Sequence, residues 1–403
     1  LYSSAASDVY KRQIMDQIEG IISDPEVEGT GIKAALTTLS QALADFSQSP
    51  YQETNANIVM NAFKGVTQVL NEYDANLKTL MEQTKNDLSV AVEDINTKLD
   101  QLSELNSSIA HEIFSNNDYD GVNYGPNDLL DQRNVILDDL SRYGDVQVTD
   151  LEDGKIQVKI NGKVVVDASG ASYTNDKLNI GSDGVTLTWN SNNQNANLGA
   201  GAIRGFTDML TGADPINAGI PYYQNKMDNF AQTLADVFNN KIHADDPDFP
   251  DKYKFLLQGG VDGKVTAGNI SISDQWADDV SYIIRKQNPD GELDNQDILD
   301  MKAAFEQDFN FGGEYTGTFS EFITSVTNTL GSGIKTNSAR MSASLAIAES
   351  ADSERMGVSG VSLNEEGISM MTYNKAYQAL GRLMTTMDEQ LDMIINKMGI
   401  VGR

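Results

Sequence analysis

Nine large apolar residues near the C-terminal end of the chain stand at heptad spacing. Met370, Tyr373, Tyr377, Leu380, Met384, Met387, Leu391, Ile394 and Met398 follow one another at steps of 3, 4, 3, 4, 3, 4, 3 and 4. This is an a/d seam sustained over four repeats. No proline interrupts it, and Gly381 lies off it. A lone helix cannot bury such a seam, so other helices must lie against it. A heptad stripe is more often intramolecular core than an oligomer seam. Here a glycine-bearing hinge, read at residues 357–360, separates the helix from the rest, and the methionines make its surface adaptable. We therefore read it as a terminal device for assembly.

The rest of the chain is organised around further stripes. Ile32, Leu36, Leu39, Leu43 and Phe46 mark a helix that Pro50 stops. From about residue 53 to 114 a near-heptad register runs from Val59 through Leu77 and Leu99 to Ile113, which predicts a helix roughly 90 Å long at 1.5 Å per residue. After a loop at 115–127, Asn127 reads as the N-cap of a short helix through Leu140. The period then changes to two. Val146, Val148, Ile156, Val158, Ile160 and Val164 to Val166 alternate around Asp153-Gly154 and Asn161-Gly162, with a further hairpin around Asp183-Gly184. The Asn-rich stretch 190–197 reads as a linker. Helix returns at 217–242 and 319–356, with a β-leaning region and a short helix at 297–308 between them.

The expected fold class is mainly α with β insertions: an elongated bundle of long helices, small antiparallel β insertions and a terminal coiled-coil helix. The domain reading is 14–145 for the first part of a helical rod, 146–200 for a β insertion and 201–244 for a returning helix. A second mixed region follows at 245–310, then the last part of the rod at 311–357, and the hinge and assembly helix at 358–403. The helices at 53–114, 217–242 and 319–356 are expected to pack side by side. Residues 1–13, LYSSAASDVYKRQ, resemble translated adaptor remnants. They are set aside as a non-native leader, with the true N-terminus missing.

Composition narrows the function. With 59 acidic and 29 basic residues the net charge is -30. Nucleic acid and anionic membrane surfaces both demand cationic patches, which argues against both. The chain has no Cys, which fits an exported protein that needs no disulfide. No segment reads as a membrane span or as a cleaved signal peptide. Two histidines, His111 and His243, have no partner at ligand spacing. Asp290, Glu292 and Asp294 begin like a calcium loop, but Asn295 and Met301 occupy the places of its glycine and bidentate Glu. Acidic pairs such as Asp278-Asp279 are expected by chance in so acidic a chain. No catalytic residue, cofactor or metal is expected.

Four stretches carry a family resemblance. Pro126-Asn127-Asp128-Leu129-Leu130-Asp131-Gln132-Arg133 resembles the PNDLLDQRD segment of the flagellar hook-associated protein 1 family, the hook–filament junction proteins. Ser359-Gly360-Val361 with Leu363, Glu365 and Glu366 resembles that family's SGVNLDEE, with Asn364 in place of an acid. Leu234-Ala235, Phe238-Asn239 and His243 resemble its LA-x-x-FN-x-x-H pattern, and Thr318-Phe319 opens a long helix as in the family. The resemblance implies a structural flagellar component exported by the flagellar type III apparatus without a cleaved signal, and located outside the cell. It implies assembly as a ring of subunits, with the hook protein, a second junction protein and an export chaperone as partners. Two alternatives stay open: another axial protein, flagellin or the filament cap, and a secreted enzyme on a coiled-coil stalk.

Overall fold

In a computed structural model of the chain, residues 2–22, 30–116, 126–168, 174–242, 255–260, 263–284, 295–360 and 362–397 are described. Two compact units divide between Leu345 and Ala346. The division falls inside a helix, not at the 357–358 boundary expected from the sequence.

The first unit is built on α3 (Glu53–Asn116), 64 residues long. From Val59 through Phe63, Leu77 and Leu99 to Ile109, the side chains of its stripe are buried, while the side chain of Ile113 lies outside the described residues. α2 (Gly31–Gln48) folds back on α3 through Ile32, Leu36, Leu39, Leu43 and Phe46, all buried. α6 (Ile220–Asn239) lies between α3 and α9 (Phe319–Ser359). Its Phe238 ring stands 5.0 Å from Phe63 of α3 and 6.1 Å from Phe319 of α9. α6 thus packs on α3 and reaches α9 through the rings of Phe319 and Phe322 in the first turn of α9, which is less than the side-by-side packing expected of all three helices. Edge and stacked geometries recur around Phe230, Phe311 and Phe322, and each such pair adds about 0.5–1.5 kcal/mol beyond the area it buries. Phe311 comes from a hairpin, β9 (Phe309–Phe311) and β10 (Tyr315–Gly317), in a stretch expected to belong to the helical rod. Gly312 and Gly313, at φ +66 and +80, make the reversal.

Two elements differ from expectation nearby. α5 (Gly201–Thr211) precedes α6, where the sequence pointed to one returning helix. Gly201 opens it at φ +88, and a Cβ there would meet the Tyr143 carbonyl oxygen at 2.1 Å. α1 (Tyr2–Ile22) includes most of the stretch set aside as a leader, and that stretch is packed, not idle. Ser3, Ala5 and Ser7 are buried, because small residues let α1 approach α5 closely: a Cβ on Gly205 would come within 2.9 Å of the Ser7 carbonyl oxygen. Asn337 of α9 donates to the Asp8 carbonyl at 2.6 Å.

The β insertion is antiparallel, as the turn signals predicted. β1 (Val146–Asp150), β2 (Ile156–Ile160), β3 (Lys163–Asp167) and β4 (Thr174–Asn175) form a sheet in that order, beside the hairpin β5 (Leu178–Ile180) and β6 (Leu187–Trp189). Asp153-Gly154 and Asn161-Gly162 all adopt positive φ, the backbone that such turns need. Residues 190–197 are a folded turn and not a linker. The Trp189 N–H donates to the Gln194 carbonyl at 3.0 Å, the Ser191 N–H donates to Asp176 at 2.9 Å, and Ala196 is buried.

Side-chain amides fasten the insertions to the helices. Asn106 of α3 donates to the Ile156 carbonyl at 2.9 Å and accepts from the Ile156 N–H at 3.1 Å. Asn96 does the same for Leu178, at 2.9 Å in both directions. Asn239 of α6 takes the Leu256 and Leu257 N–H groups at 2.8 and 2.9 Å. A planar amide offers a donor and an acceptor side by side, so it can stand in for a neighbouring strand at backbone groups that burial would otherwise leave unpaired.

Candidate assembly interface

α9 carries its stripe into the core only part of the way. Phe322, Val326, Leu330 and Ile334 are buried, Met341 is half-buried and Leu345 is exposed. The helix continues through Gly357 to Ser359, so the hinge expected at 357–360 shrinks to its last residue, Gly360. Gly360 closes α9: its N–H donates to the Met356 carbonyl at 2.8 Å, and a Cβ there would sit 2.3 Å from that oxygen. The glycine of the Ser359-Gly360-Val361 motif is thus a stop that other residues cannot make without moving the backbone. Val361 and the side chain of Ser359 lie outside the described residues.

α10 (Leu363–Asp392) then opens on a capping signal. Ser362 is its N-cap, and its hydroxyl accepts from the Glu365 N–H at 3.4 Å. Glu365 and Glu366 stand in the first turn, where the helix dipole favours negative charge. Glu365 and Glu366 of the second motif, together with Ser362 within its span, therefore mark a helix start. Leu363, 90% exposed, takes no part in a core.

Within its own unit α10 buries no residue. Every described seam residue is at least half exposed, from Leu391 at 50% to Tyr377 at 78%, with Met370, Tyr373, Leu380, Met384, Met387 and Ile394 between them. Met398 lies outside the described residues. The seam's last turn is altered: Met393–Lys397 is a π-helical turn, so Ile394 is not on a straight continuation of the stripe. The heptad pattern alone did not signal this widening. The polar face closes on itself, with Thr372 and Thr385 donating to carbonyls four residues back and Asn396 donating to Asp392 at 2.7 Å.

The other family motif sits in the first unit, on α4 (Asn127–Leu140). Pro126, not Asn127, is the capping residue. Its carbonyl accepts from the Leu129 and Leu130 N–H groups, each at 3.0 Å, and no side chain caps the helix. Asn127, Asp128, Asp131 and Gln132 are exposed, and Leu129 and Leu130 are half-buried. Arg133 is the buried member. It donates to the Gly154 carbonyl at 2.6 Å and so ties α4 to the β1–β2 turn. Burial pulls its pKa down, and the Asp150 carboxylate opposes that.

Among the described residues, no three His, Asp or Glu side chains converge as metal ligands would. His111 is exposed on α3; His243, Asp290, Glu292 and Asp294 lie outside the described residues. Asp279 accepts from the Ser281 N–H at 2.9 Å and so begins a helical turn. Among the described residues, no helix is long and apolar enough to cross a membrane.

Known proteins match these features. The family model for the helical domain of flagellar hook-associated protein FlgK matches residues 15–251, more than half of the chain. The model for the C-terminal region of the flagellar basal body rod proteins FlgEFG matches residues 353–397, which span α10. Flagellar hook-associated protein 1 of Bacillus subtilis is 25% identical, over 98% of this chain and 81% of its own length. A solved structure of the flagellar hook junction protein FlgK from Burkholderia pseudomallei is similar with a TM-score of 0.48 and 20% identity, over 60% of this chain and 42% of that one. The chain belongs to the flagellar hook-associated protein 1 (FlgK) family, structural proteins of the bacterial flagellum at the hook–filament junction.

Proposed function

We propose that this chain is a non-catalytic subunit that joins its neighbours through the seam of α10. The observation that carries the reading is the wet seam itself: eight large apolar residues at heptad spacing, none of them buried. A fully buried large apolar side chain is worth about 1.5–3 kcal/mol relative to an exposed one, so packing this stripe against partner helices is strongly favoured. Helices of this kind draw most of their stability from such packing. The occupants that suit the seam are terminal helices of identical subunits, of the hook protein and of a second junction protein. Before export, an export chaperone covers it. The match of residues 353–397 to a rod-protein C-terminal region supports a terminal device shared among axial flagellar proteins. Export through the flagellar type III apparatus, without a cleaved signal, to an extracellular site fits a chain with no Cys.

The test is the double substitution Leu380→Asp with Leu391→Asp. Both positions are at least half exposed, so the melting temperature of the monomer is expected to stay where it is. Assembly and chaperone capture in a pull-down are expected to vanish. A sharp fall in melting temperature would mean that the seam is intramolecular core, and the reading would fail.

A further inference from the structure

The β insertion closes its backbone edges almost everywhere. Asn106 takes both backbone groups of Ile156 in β2, and Asn96 takes both of Leu178 in β5. β4, at one end of the four-stranded sheet, is two residues long, and its Asn175 donates to Asp100 of α3 at 2.5 Å. The turn after β6 folds back on that strand, so that the Ala196 N–H donates to the Leu187 carbonyl at 2.8 Å.

β1, at the other end of the sheet, is left open. The Asn161 N–H donates to the Asp145 carbonyl at 2.8 Å, and the Leu151 N–H donates to the Lys155 carbonyl at 2.8 Å. Hydrogen-bonded and non-bonded residues alternate along an antiparallel pair. Gln147 and Thr149 therefore turn their backbone groups to β2, opposite Lys159 and Gln157. Val146, Val148 and Asp150 turn theirs outward, and among the described residues nothing pairs with them. Gln147 to Asp150 are all exposed. Natural edge strands are commonly blunted by lysine, proline or a bulge. β1 carries neither residue, and its register with β2 runs without a break.

The side chains say what would fit this edge. Val148 stands opposite Val158, and Val146 opposite Ile160, so both lie on the face whose β2 residues are buried. Val148 is 44% exposed and ends that apolar layer. An added strand with an apolar residue beside Val148 would extend it. Charge sets the rest. Asp145, Asp150, Glu152 and Asp153 flank the open groups, and no basic residue lies between 145 and 153. Of the cations nearby, Arg133 is committed to the Gly154 carbonyl, and Lys155 stands 3.7 Å from Asp153.

We propose that the free edge of β1 is a docking site for an extended segment of a partner protein in which basic and apolar residues alternate. The segment adds as a further strand: its backbone pairs with Val146, Val148 and Asp150, one apolar side chain covers Val148, and its cations answer the acids at both ends. The inference goes beyond the α10 reading and does not depend on it.

The test is fluorescence anisotropy of a labelled heptapeptide of alternating lysine and valine, titrated with the full-length chain. Saturable binding is expected, and a heptapeptide of alternating glutamate and valine is expected not to bind. Val148→Pro removes one outward donor and spares the ladder to β2, because the Val148 N–H takes no part in it. It is expected to weaken binding of the lysine peptide about fivefold to tenfold. Val148→Lys keeps the donor and puts a cation at the centre of the edge, so it is expected to weaken binding too and serves if the proline disturbs the strand. Slow exchange of the Gln147 and Thr149 N–H groups reports that the ladder is intact in each variant. No binding to the wild-type chain overturns the inference, as does equal binding of the glutamate peptide. Binding that both variants leave unchanged places the peptide elsewhere and overturns it as well. So does a dimer of the wild-type chain that Val148→Pro abolishes, since the edge would then serve a second copy.

Discussion

α3 and α10 carry the same kind of stripe and treat it in opposite ways. Along α3 every described stripe residue from Val59 to Ile109 is buried; along α10 no residue is. The α3 stripe is covered by α2, α6, α5 and the β insertion of its own unit. The α10 stripe has no such cover within its unit. A heptad pattern states that a partner is required, and it does not state whether the same chain or another supplies it. What separates the two is the neighbourhood. α3 has aromatic anchors and amide clamps along its length, whereas α10 has a capping serine, a glycine stop before it and a π turn at its end.

The largest difference between the two regions should appear on deleting a ring. Phe238 joins α3 to α9 through contacts with Phe63 and Phe319. Phe238→Ala is expected to cost about 3–5 kcal/mol, read as a drop in the denaturant midpoint. The same kind of truncation on α10, Leu380→Ala, is expected to leave the midpoint of the isolated chain unchanged, and an equal drop would erase the contrast.

Next in size is Asn106→Ala. It removes both partners of the buried Ile156 backbone groups, at about 1–3 kcal/mol for each group left unsatisfied. Hydrogen exchange should then quicken across β2 while the Phe63–Phe238 region stays protected. Uniform quickening would mean that the insertion and the helices open as one. Arg133→Ala is expected to cost somewhat less, about 1.5–3 kcal/mol for a hydrogen bond from a charged donor, and to make the β1–β2 turn the first site of proteolytic nicking. If cleavage began elsewhere, the role given to this motif residue would be wrong.

The smallest effect concerns a single turn. Asp183 accepts from the Thr186 hydroxyl, the Val185 N–H and the Thr186 N–H, which hold its carboxyl down at about 2 from an ordinary 3.8. A depressed carboxyl contributes stability above its unfolded value and loses it as the pH falls through the folded one. The hairpin of β5 and β6 should therefore keep its turn at pH 4 and loosen only towards about pH 2. A carboxyl titration followed by NMR that finds an ordinary midpoint would remove this turn from the account.

Much of this architecture was legible in residue order, for identifiable reasons. The stripes of α2, α3 and α6 stood out because a long amphipathic helix repeats its signal many times. Asp153-Gly154 and Asn161-Gly162 marked hairpins because few other pairs tolerate positive φ. α5 was not told apart from the single returning helix expected at 201–244, because its eleven residues are too few to repeat a stripe, and its Gly201 and Gly205 let backbones touch. The β9–β10 hairpin was too short to show a period. The clamps of Asn96, Asn106 and Asn239 left no signal, since an asparagine on a helix reads as surface until the strand it pairs with is known. The exposed seam was legible as a pattern as far as Leu391, before the π turn. Its cover was not, because spacing along one helix carries no information about which helix lies against it.

Hydrogen exchange of the isolated full-length chain tests the central claim most directly, by comparing residues 365–397 with α3. The account predicts near-complete exchange along α10 while α3 between Val59 and Leu102 remains protected, and strong protection of α10 on binding to partner subunits or chaperone. Protection of α10 equal to that of α3 in the isolated monomer would contradict it.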